Sequence, residues 1–306
     1  MPFLTLFTAP KPFTDPHIAT IQRNALRSWT LLPDVEVIVL GEEEGLEEVA
    51  RELGILHLKE VERSPSGAPR LSSMFAQARA HSQSPFLCVI NADILLMSDF
   101  LQAVREVAKL RERFVLVSQR WDVDITTSLD FAPGWEERLR EHVRQHGKLH
   151  RPAGSDFFVF PRECYQDIPA FTIGRAGWDN WMIYKARRER WAVIDLTPSV
   201  MIVHQNHDYR HLPGGQAHYT HPETEENTRL AGGHANVRYT ILDATHQLHA
   251  GRLRSPKLTK RHFIRYIELL LRSILPLLSL PEEKRERWSR PRYWIKVIRH
   301  ILEKGR

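Results

Sequence analysis

Two hydrophobic periodicities alternate along the first 118 residues. Short apolar runs predict buried strands, and apolar residues three or four positions apart predict helices between them. The predicted strands are Phe3–Phe7, Val35–Leu40, Ile55–Leu58, Phe86–Ile90 and Phe114–Ser118. The predicted helices start after Asp15-Pro16, an N-cap followed by proline, and then cover Glu43–Leu53, Leu71–His81 and Asp99–Leu110. This order predicts an α/β fold with a doubly wound, mixed but mostly parallel sheet.

The segment after the first strand excludes two common nucleotide-binding classes. It reads Thr8-Ala9-Pro10-Lys11-Pro12 and contains no glycine. A dinucleotide fold of the G-x-G-x-x-G kind requires glycines at this turn, and no G-x-x-x-x-G-K-[ST] loop occurs in the chain. If the chain binds a nucleotide, it does so by another route.

The charge divides the chain into an acidic body and a basic tail. Residues 251–306 hold 16 Lys/Arg and 5 Asp/Glu, a net charge of +11, whereas residues 1–250 carry a net charge of −5. We therefore expect a domain over 1–250 and a basic helical extension over 251–306. Within the body, residues 119–250 are less periodic than 1–118 and richer in Trp, His, Gly and Pro, which is typical of a substrate-recognition half on a regular scaffold.

The cellular compartment is predicted from cysteine usage and the N-terminus. Cys88 and Cys164 lie in apolar, strand-like surroundings, which favours buried thiols in a reducing compartment. The first residues show neither a basic region nor a long apolar stretch, so a secretory signal is not expected. We expect a cytoplasmic protein.

Four acidic or histidine-bearing motifs occur where predicted elements begin or end. Asn91-Ala92-Asp93 ends a buried strand, and Asp156 stands at the mouth of another. Asp179 lies close to the start of a helix predicted over Trp181–Arg187, and Met201-Ile202-Val203-His204 ends a strand, with His207 three residues further. Singly, Asp156 is explained by a turn, Asp179 by an N-cap and His204 by the core. Together, their order favours a functional site.

This order resembles inverting glycosyltransferases of the GT-A fold, including the β-1,4-galactosyltransferase type. Asn91-Ala92-Asp93 matches the D-x-D turn, although Asn91 replaces the first Asp. Gly177-Trp178-Asp179 matches the glycine-containing acidic loop, with Trp178 in place of the first acid. Met201-x-x-His204 matches the strand that supplies a metal-binding histidine. The resemblance covers about residues 1–210 and implies a Rossmann-like fold, with a nucleotide-binding half over 1–118 and an acceptor and metal half over 119–250.

The resemblance also implies roles for particular residues. A divalent metal, Mn²⁺ or Mg²⁺, would be held by Asp93 and His204 and would stabilise the diphosphate leaving group of a nucleoside-diphosphate sugar. An imidazole ligand favours Mn²⁺. Asp179 would act as the base for a hydroxyl of a glycan or lipid-linked acceptor, and Asp156 would orient that acceptor. The residues expected to meet the nucleotide sugar are Thr8, Ala9, Pro10, Lys11, Arg70, Asn91 and Asp93, with Arg70 equally explained as a solvated loop residue.

Other assignments compete with this one. Asp122-Val123-Asp124 is a literal D-x-D, for which a structural role beside Arg120 is preferred. The histidines between His204 and His249 fit no zinc template. A sugar-phosphate nucleotidyltransferase, which has a related sheet, would carry a Gly-rich, Arg-containing loop that Thr8–Phe13 lacks. A non-catalytic nucleotide- or carbohydrate-binding relative is compatible with Asn91 and Trp178.

The basic tail predicts two amphipathic helices. Within Lys260–Leu280, four charged residues fall on one helical stripe, namely Arg261, Arg265, Glu268 and Arg272. A second segment, Arg290–Lys304, has the same character. These helices either pack on the body or lie in the plane of an anionic membrane, and we expect peripheral contact at the inner face. Nucleic acid is not an expected partner, because the body is acidic and the tail aromatics fall at helical core spacing.

Overall fold

The computed structural model describes residues 1–153, 155–207 and 221–274, together with Trp288 and Tyr293; side chains are described through 271. The chain divides into two compact units, Met1–Ser255 and Pro256–Arg306. The predicted second tail helix, Arg290–Lys304, lies outside the described residues apart from Tyr293. Among the described helices, none is long and apolar enough to cross a membrane.

Over residues 1–118, strands and helices alternate as the hydrophobic pattern predicts, apart from one short strand at Ile94–Leu95 that the pattern did not predict. The strands are β1 Leu4–Thr8, β2 Val35–Leu40, β3 Leu56–Leu58, β4 Phe86–Ile90, β5 Ile94–Leu95, β6 Phe114–Val117, β7 Arg120–Val123, β8 Lys148–Leu149, β9 Phe157–Pro161, β10 Ala192–Asp195, β11 Ile202–Gln205, β12 His246–His249 and β13 Arg252–Arg254. The helices are α1 Pro16–Thr30, α2 Leu46–Leu53, α3 Leu71–His81, α4 Ser98–Ala108, α5 Trp135–His146, α6 Trp178–Arg188, α7 Pro222–Leu230 and, in the second unit, α8 Lys260–Ile274.

The strands form one large sheet and one small sheet. The large sheet has the order β13-β12-β10-β6-β9-β4-β1-β2-β3. Its pairings are parallel except those of β9 with β4 and β6 and that of β13 with β12. The predicted α/β fold with a mixed, mostly parallel sheet is therefore confirmed. The small sheet has the order β5-β11-β7-β8.

Helices cover both faces of the large sheet, because successive side chains of each strand point to opposite faces. In β1, Leu4 and Leu6 join the apolar cluster that includes Trp29 of α1, whereas Phe7 joins the cluster that includes Met74 of α3. All five side chains are completely buried. This two-sided burial explains why the parallel strands are almost continuously apolar.

Two helix starts differ from the sequence prediction by three residues. α2 begins at Leu46 instead of Glu43, after Gly45 in the left-handed conformation. α6 begins at Trp178 instead of Trp181, and its N-cap is Gly177 with φ +107°. Asp179 therefore lies in the first turn of α6, so the N-cap explanation of this residue is wrong.

The fold also makes a stability prediction at Trp29. Its Nε1 donates a hydrogen bond of 2.8 Å to the backbone oxygen of Ile94, which joins α1 to the small sheet. Trp29→Phe leaves that buried carbonyl without its donor and should lower the free energy of unfolding by about 1–3 kcal/mol. Urea denaturation measures the loss, with Trp191→Phe as the control, since no hydrogen bond of the Trp191 indole is described. Equal losses in the two variants would contradict the assigned role.

Candidate functional site

A cavity of about 1020 Å³ opens at the carboxyl edge of the large sheet. β1, β2 and β4 run parallel and end there, and the antiparallel β9 begins there. This strand arrangement brings the residue after β4 next to the residue before β9, and Asn91 N donates to Asp156 O at 2.9 Å. Ligands of open α/β sheets bind beyond this edge. The lining includes Thr8, Ala9, Pro10, Lys11, Asn91, Asp93, Asp156, Asp179, His204 and His207.

Asp93, His204 and His207 form a cluster suited to a metal ion. Nε2 of His207 lies 3.1 Å from Oδ2 of Asp93, and Nε2 of His204 lies 3.8 Å from the same oxygen. One ligand atom from each residue falls within 4.8 Å of the others. The small sheet creates this arrangement, because β11 pairs with β5 so that His204 lies opposite Ile94, the neighbour of Asp93.

The chemistry of this cluster fits a divalent cation. Oδ1 of Asp93 is buried and has no hydrogen-bond partner among the described residues. Burial alone would raise the pKa of Asp93, but the imidazoles of His204 and His207, with Lys11 beyond them, hold it well below its usual range. The carboxylate is therefore ionised at neutral pH. One carboxylate and two imidazoles suit Mn²⁺ better than Mg²⁺.

A second layer of charged residues supports the cluster from β7. Asp122 lies opposite His204 across the β7–β11 pair, and its Oδ1 is 3.2 Å from Nδ1 of His204, outside hydrogen-bond alignment. Its carboxylate also contacts Arg120 Nε at 2.8 Å and His150 Nδ1 at 2.6 Å. Although burial opposes it, these contacts lower the pKa of Asp122. Asp122 thus lies beside Arg120, as the sequence analysis expected of this D-x-D, and its structural role stays a prediction.

Asp156 is held by two neighbours at the cavity wall. Nδ2 of Asn91 donates to its Oδ1 at 2.9 Å, and an Arg120 guanidinium nitrogen contacts the same oxygen at 2.5 Å. The amide of Asn91 thus binds a carboxylate instead of adding a second negative charge, which explains how an asparagine is accommodated at this turn. Arg120 joins Asp156 to Asp122 and so connects the cavity wall to the metal-ligand cluster.

Asp179 has the opposite electrostatic setting. Its pKa is raised to about 6, chiefly by burial and further by the negative charge of Asp156, while backbone N–H groups at the start of α6 partly offset the rise. The side chain lines the cavity. A carboxylate with such a pKa is ionised at neutral pH and still basic enough to accept a proton in a reaction.

The segment after β1 forms another wall of the cavity. Residues Thr8 to Lys11 line it, and the amide of Gln22 fixes the segment by accepting from Lys11 N at 2.6 Å and donating to Lys11 O at 2.9 Å. Oγ1 of Thr8 is buried without a described hydrogen-bond partner. The placement of these residues is as predicted, although their contact with a nucleotide stays a prediction.

Glu43, beyond the end of β2, is a site residue that the sequence analysis missed. Its Oε1 pairs with Arg63 at 2.8 Å, whereas its Oε2 is buried without a described partner, and the residue lines the cavity. His207 was not predicted to join Asp93 and His204, although the structure brings it to them. The signals were present: an acid beyond the second parallel strand and a second histidine three residues after the first.

Arg70 is not placed where the sequence analysis expected it. Its guanidinium faces Glu226 at 3.3 Å and donates to Ala170 O and Thr172 Oγ1, each at 2.9 Å. It does not line the cavity. The solvated loop position is wrong, because the side chain joins the loop before α3 to the loop before α6 and to α7, and nucleotide contact stays a prediction.

Comparison with known proteins gives matches among solved structures only. Neither a protein-family model nor a curated protein matches the chain. The chain is similar to the mannosyltransferase PcManGT from Pyrobaculum calidifontis in complex with GDP-Man and Mn²⁺, with 14% identity over 66% of this chain and 56% of that one, TM-score 0.43.

Two further similar structures carry comparable scores. One is the glucosyl-3-phosphoglycerate synthase from Mycobacterium tuberculosis with Mg²⁺ and UDP, with 16% identity over 67% of this chain and 72% of that one, TM-score 0.41. The other is S. aureus TarS 1–349, with 13% identity over 94% and 78%, TM-score 0.44.

The metal-ligand cluster makes a binding prediction. Mn²⁺ should increase the thermal stabilisation given by a nucleoside diphosphate, since a ligand at about 100 times its Kd stabilises by about 2.7 kcal/mol. Asp93→Ala and His207→Ala should lose the Mn²⁺-dependent increment, and the exposed His249→Ala should keep it. Thermal unfolding with Mn²⁺ or with EDTA measures the effect. An equal nucleotide shift in EDTA would remove the metal assignment.

Proposed function

We propose that the protein is a metal-dependent, inverting glycosyltransferase that moves a sugar from a nucleoside-diphosphate sugar to a hydroxyl acceptor. The observation that supports this most is the presence of two differently tuned carboxylates in one cavity. Asp93 is held ionised among histidines, and Asp179 has a pKa of about 6. Transfer to a hydroxyl needs both a charge-stabilised leaving group and a base.

In this proposal Asp93, His204 and His207 hold a divalent cation, which when bound stabilises negative charge on the departing diphosphate. Asp156 accepts a hydrogen bond from the acceptor and orients it, and Asp179 takes the proton of the attacking hydroxyl. The new bond joins the acceptor oxygen to the anomeric carbon. The bond from that carbon to the diphosphate oxygen breaks, and its electron pair leaves with the nucleoside diphosphate.

The donor nucleotide is proposed to lie against Thr8 to Lys11 and Glu43. Two buried oxygens of this wall, Thr8 Oγ1 and Glu43 Oε2, lack described hydrogen-bond partners. Buried polar atoms are normally hydrogen-bonded, so unsatisfied ones at a cavity wall favour a ligand with hydroxyl or N–H donors. The ribose and base of a nucleotide provide such groups.

The role of Asp179 is tested by Asp179→Asn. The amide keeps the shape but cannot accept the proton, so turnover should fall roughly 10²–10⁴-fold with donor affinity retained. Single-turnover assays of nucleoside diphosphate release measure the turnover, and calorimetric titration with the donor measures the donor affinity. Glu137→Gln, on the exposed side of α5, is the control. Unimpaired turnover in Asp179→Asn would transfer the base role to Asp156.

The raised pKa of Asp179 also predicts two pH dependences. Activity should rise with pH through about 6, because the base must be ionised, and this limb should vanish in Asp179→Asn. Folding favours the protonated form of Asp179. The wild-type chain therefore loses free energy of unfolding as the pH rises from about 4 to 6, by at most about 3 kcal/mol. Asp179→Asn should therefore be the more stable form at pH 8 but not at pH 4. A stability difference that does not vary with pH would contradict the assignment.

The acceptor is proposed to be a glycan or a lipid-linked molecule, reached by a cytoplasmic protein at the inner face of a membrane. α8 leaves Phe263 and Tyr266 exposed, at 65% and 66% of their surface, and Lys257, Lys260 and Arg261 are also exposed. Aromatic side chains beside cationic ones are the composition of an interfacial helix. The net charge of +11 over residues 251–306 adds attraction to anionic lipid.

Vesicle flotation tests the membrane contact. The full chain should float with phosphatidylserine-containing vesicles at low salt and progressively less as salt screens the charges. Phe263→Ser with Tyr266→Ser should weaken binding at every salt concentration, because the apolar contribution is not screened. Leu149→Ser, another exposed apolar residue, is the matched control. Failure of the full chain to float at low salt would contradict the proposal.

A further inference from the structure

We propose that a second cavity, between the loop after β7 and helix α5, binds a neutral saccharide unit of the acceptor. The cavity measures about 310 Å³, at the lower end of the range of small-molecule sites, roughly 300–1,000 Å³. Its lining includes Asp124, Thr126, Leu129, Trp135, Leu139 and His142. The assignment of this saccharide to the acceptor rests on the proposed function, whereas saccharide binding itself does not.

The loop that forms this cavity is anchored from α1. Asn24 is almost completely buried, and its Nδ2 donates to Thr127 O and to Gln205 Oε1, both at 3.1 Å. Its Oδ1 accepts from Leu129 N at 2.9 Å. One buried amide thus holds the loop at two points and joins it to the last residue of β11. A loop held in this way is pre-organised, which lowers the entropy cost of binding.

A second anchor comes from α5. The guanidinium of Arg138 donates to three carbonyl oxygens, those of Asp130 and Pro133 at 3.0 Å and that of Ala132 at 3.3 Å. Its charge is also 3.6 Å from the Asp130 carboxylate. Since Arg138 is engaged in holding the loop, the cavity is not built to attract an anion. The carboxylates of Asp124 and Asp130 at its wall disfavour one further.

The remaining lining suits a sugar ring. Trp135 gives an aromatic surface that is itself held edge-on by Phe131, with ring centroids 5.0 Å apart. Leu129 and Leu139 extend the apolar floor. A pyranose has one face of C–H groups, which packs on an indole, and a rim of hydroxyls, which donate to carboxylates. Apolar floor and acidic rim together therefore favour a neutral polyhydroxyl ligand.

Asp124 connects this cavity to the metal-ligand segment. Its Oδ1 accepts from Asn206 Nδ2 at 2.8 Å, and Asn206 N donates to Val123 O at 2.9 Å. Asn206 stands between the proposed ligands His204 and His207. Within the described part of the chain only Oδ1 of Asp124 is engaged, so Oδ2 remains to accept a sugar hydroxyl. A saccharide held here would contact Asp124, which is bonded to the segment that carries the proposed metal ligands, as a neighbouring unit of an acceptor glycan would.

Saccharide binding to the full chain tests the proposal, with maltose, cellobiose, lactose and chitobiose as probes and saturation-transfer NMR as the readout. At least one probe should bind without nucleotide or metal. Trp135→Leu and Asp124→Asn should weaken it by about tenfold or more, and Glu137→Gln, on the same helix but outside the cavity, should not. Thr126→Trp fills the cavity from its exposed rim without touching the core, and it keeps the test valid if Trp135→Leu fails to fold.

Binding of none of the probes, or equal binding in the wild-type chain and in Thr126→Trp, would overturn the proposal. The wild-type chain could also bind a saccharide that the cavity variants do not bind and yet show no sugar transfer. This result would uphold the second cavity as a saccharide site and reject the proposed function. Sugar transfer to a saccharide acceptor, with a KM for that acceptor that the cavity variants leave unchanged, would uphold the proposed function and reject the second cavity as a binding site.

Discussion

The register of the small sheet is the constraint on which the candidate site depends. β11 pairs with β5 on one side and with β7 on the other, so that His204 lies opposite both Ile94 and Asp122. A slip of one residue in either pairing would turn His204 to the other face of the sheet. Gln205 reinforces the register, since its backbone N and its side chain both donate to the Asp93 carbonyl.

The electrostatic balance of the site follows from this arrangement. The negative charge of Asp93 is balanced by two imidazoles, and Asp122 and Asp156 both contact the guanidinium of Arg120. The pKa of Asp179 is instead set chiefly by burial, backbone N–H groups and the charge of Asp156. In the large cavity Asp93 is thus held ionised, whereas Asp179 remains basic. Such a division is how a single fold provides both charge stabilisation and proton transfer.

The two cavities share one short segment. Residues His204 to His207 present metal-ligand candidates to the large cavity, and Asn206 within the segment bonds the Asp124 carboxylate of the small one. The two cavities are therefore connected through residues at and just after the end of β11. Because strand ends are held by ladder hydrogen bonds, side chains on them are placed more precisely than side chains on free loops.

By itself, the sequence determined the alternation of strands and helices, the mixed and mostly parallel sheet, and the strand-end positions of Asp93 and His204. These follow from local periodicity, which reports burial along one segment. Only the tertiary structure decided that His207 joins Asp93, that Arg70 pairs with Glu226, and that α6 begins at Trp178 after Gly177. Those contacts join segments that lie more than 100 residues apart, or depend on glycine in a left-handed conformation. Local pattern does not encode which distant partner a side chain meets, because strand register and loop packing are properties of the assembled sheet.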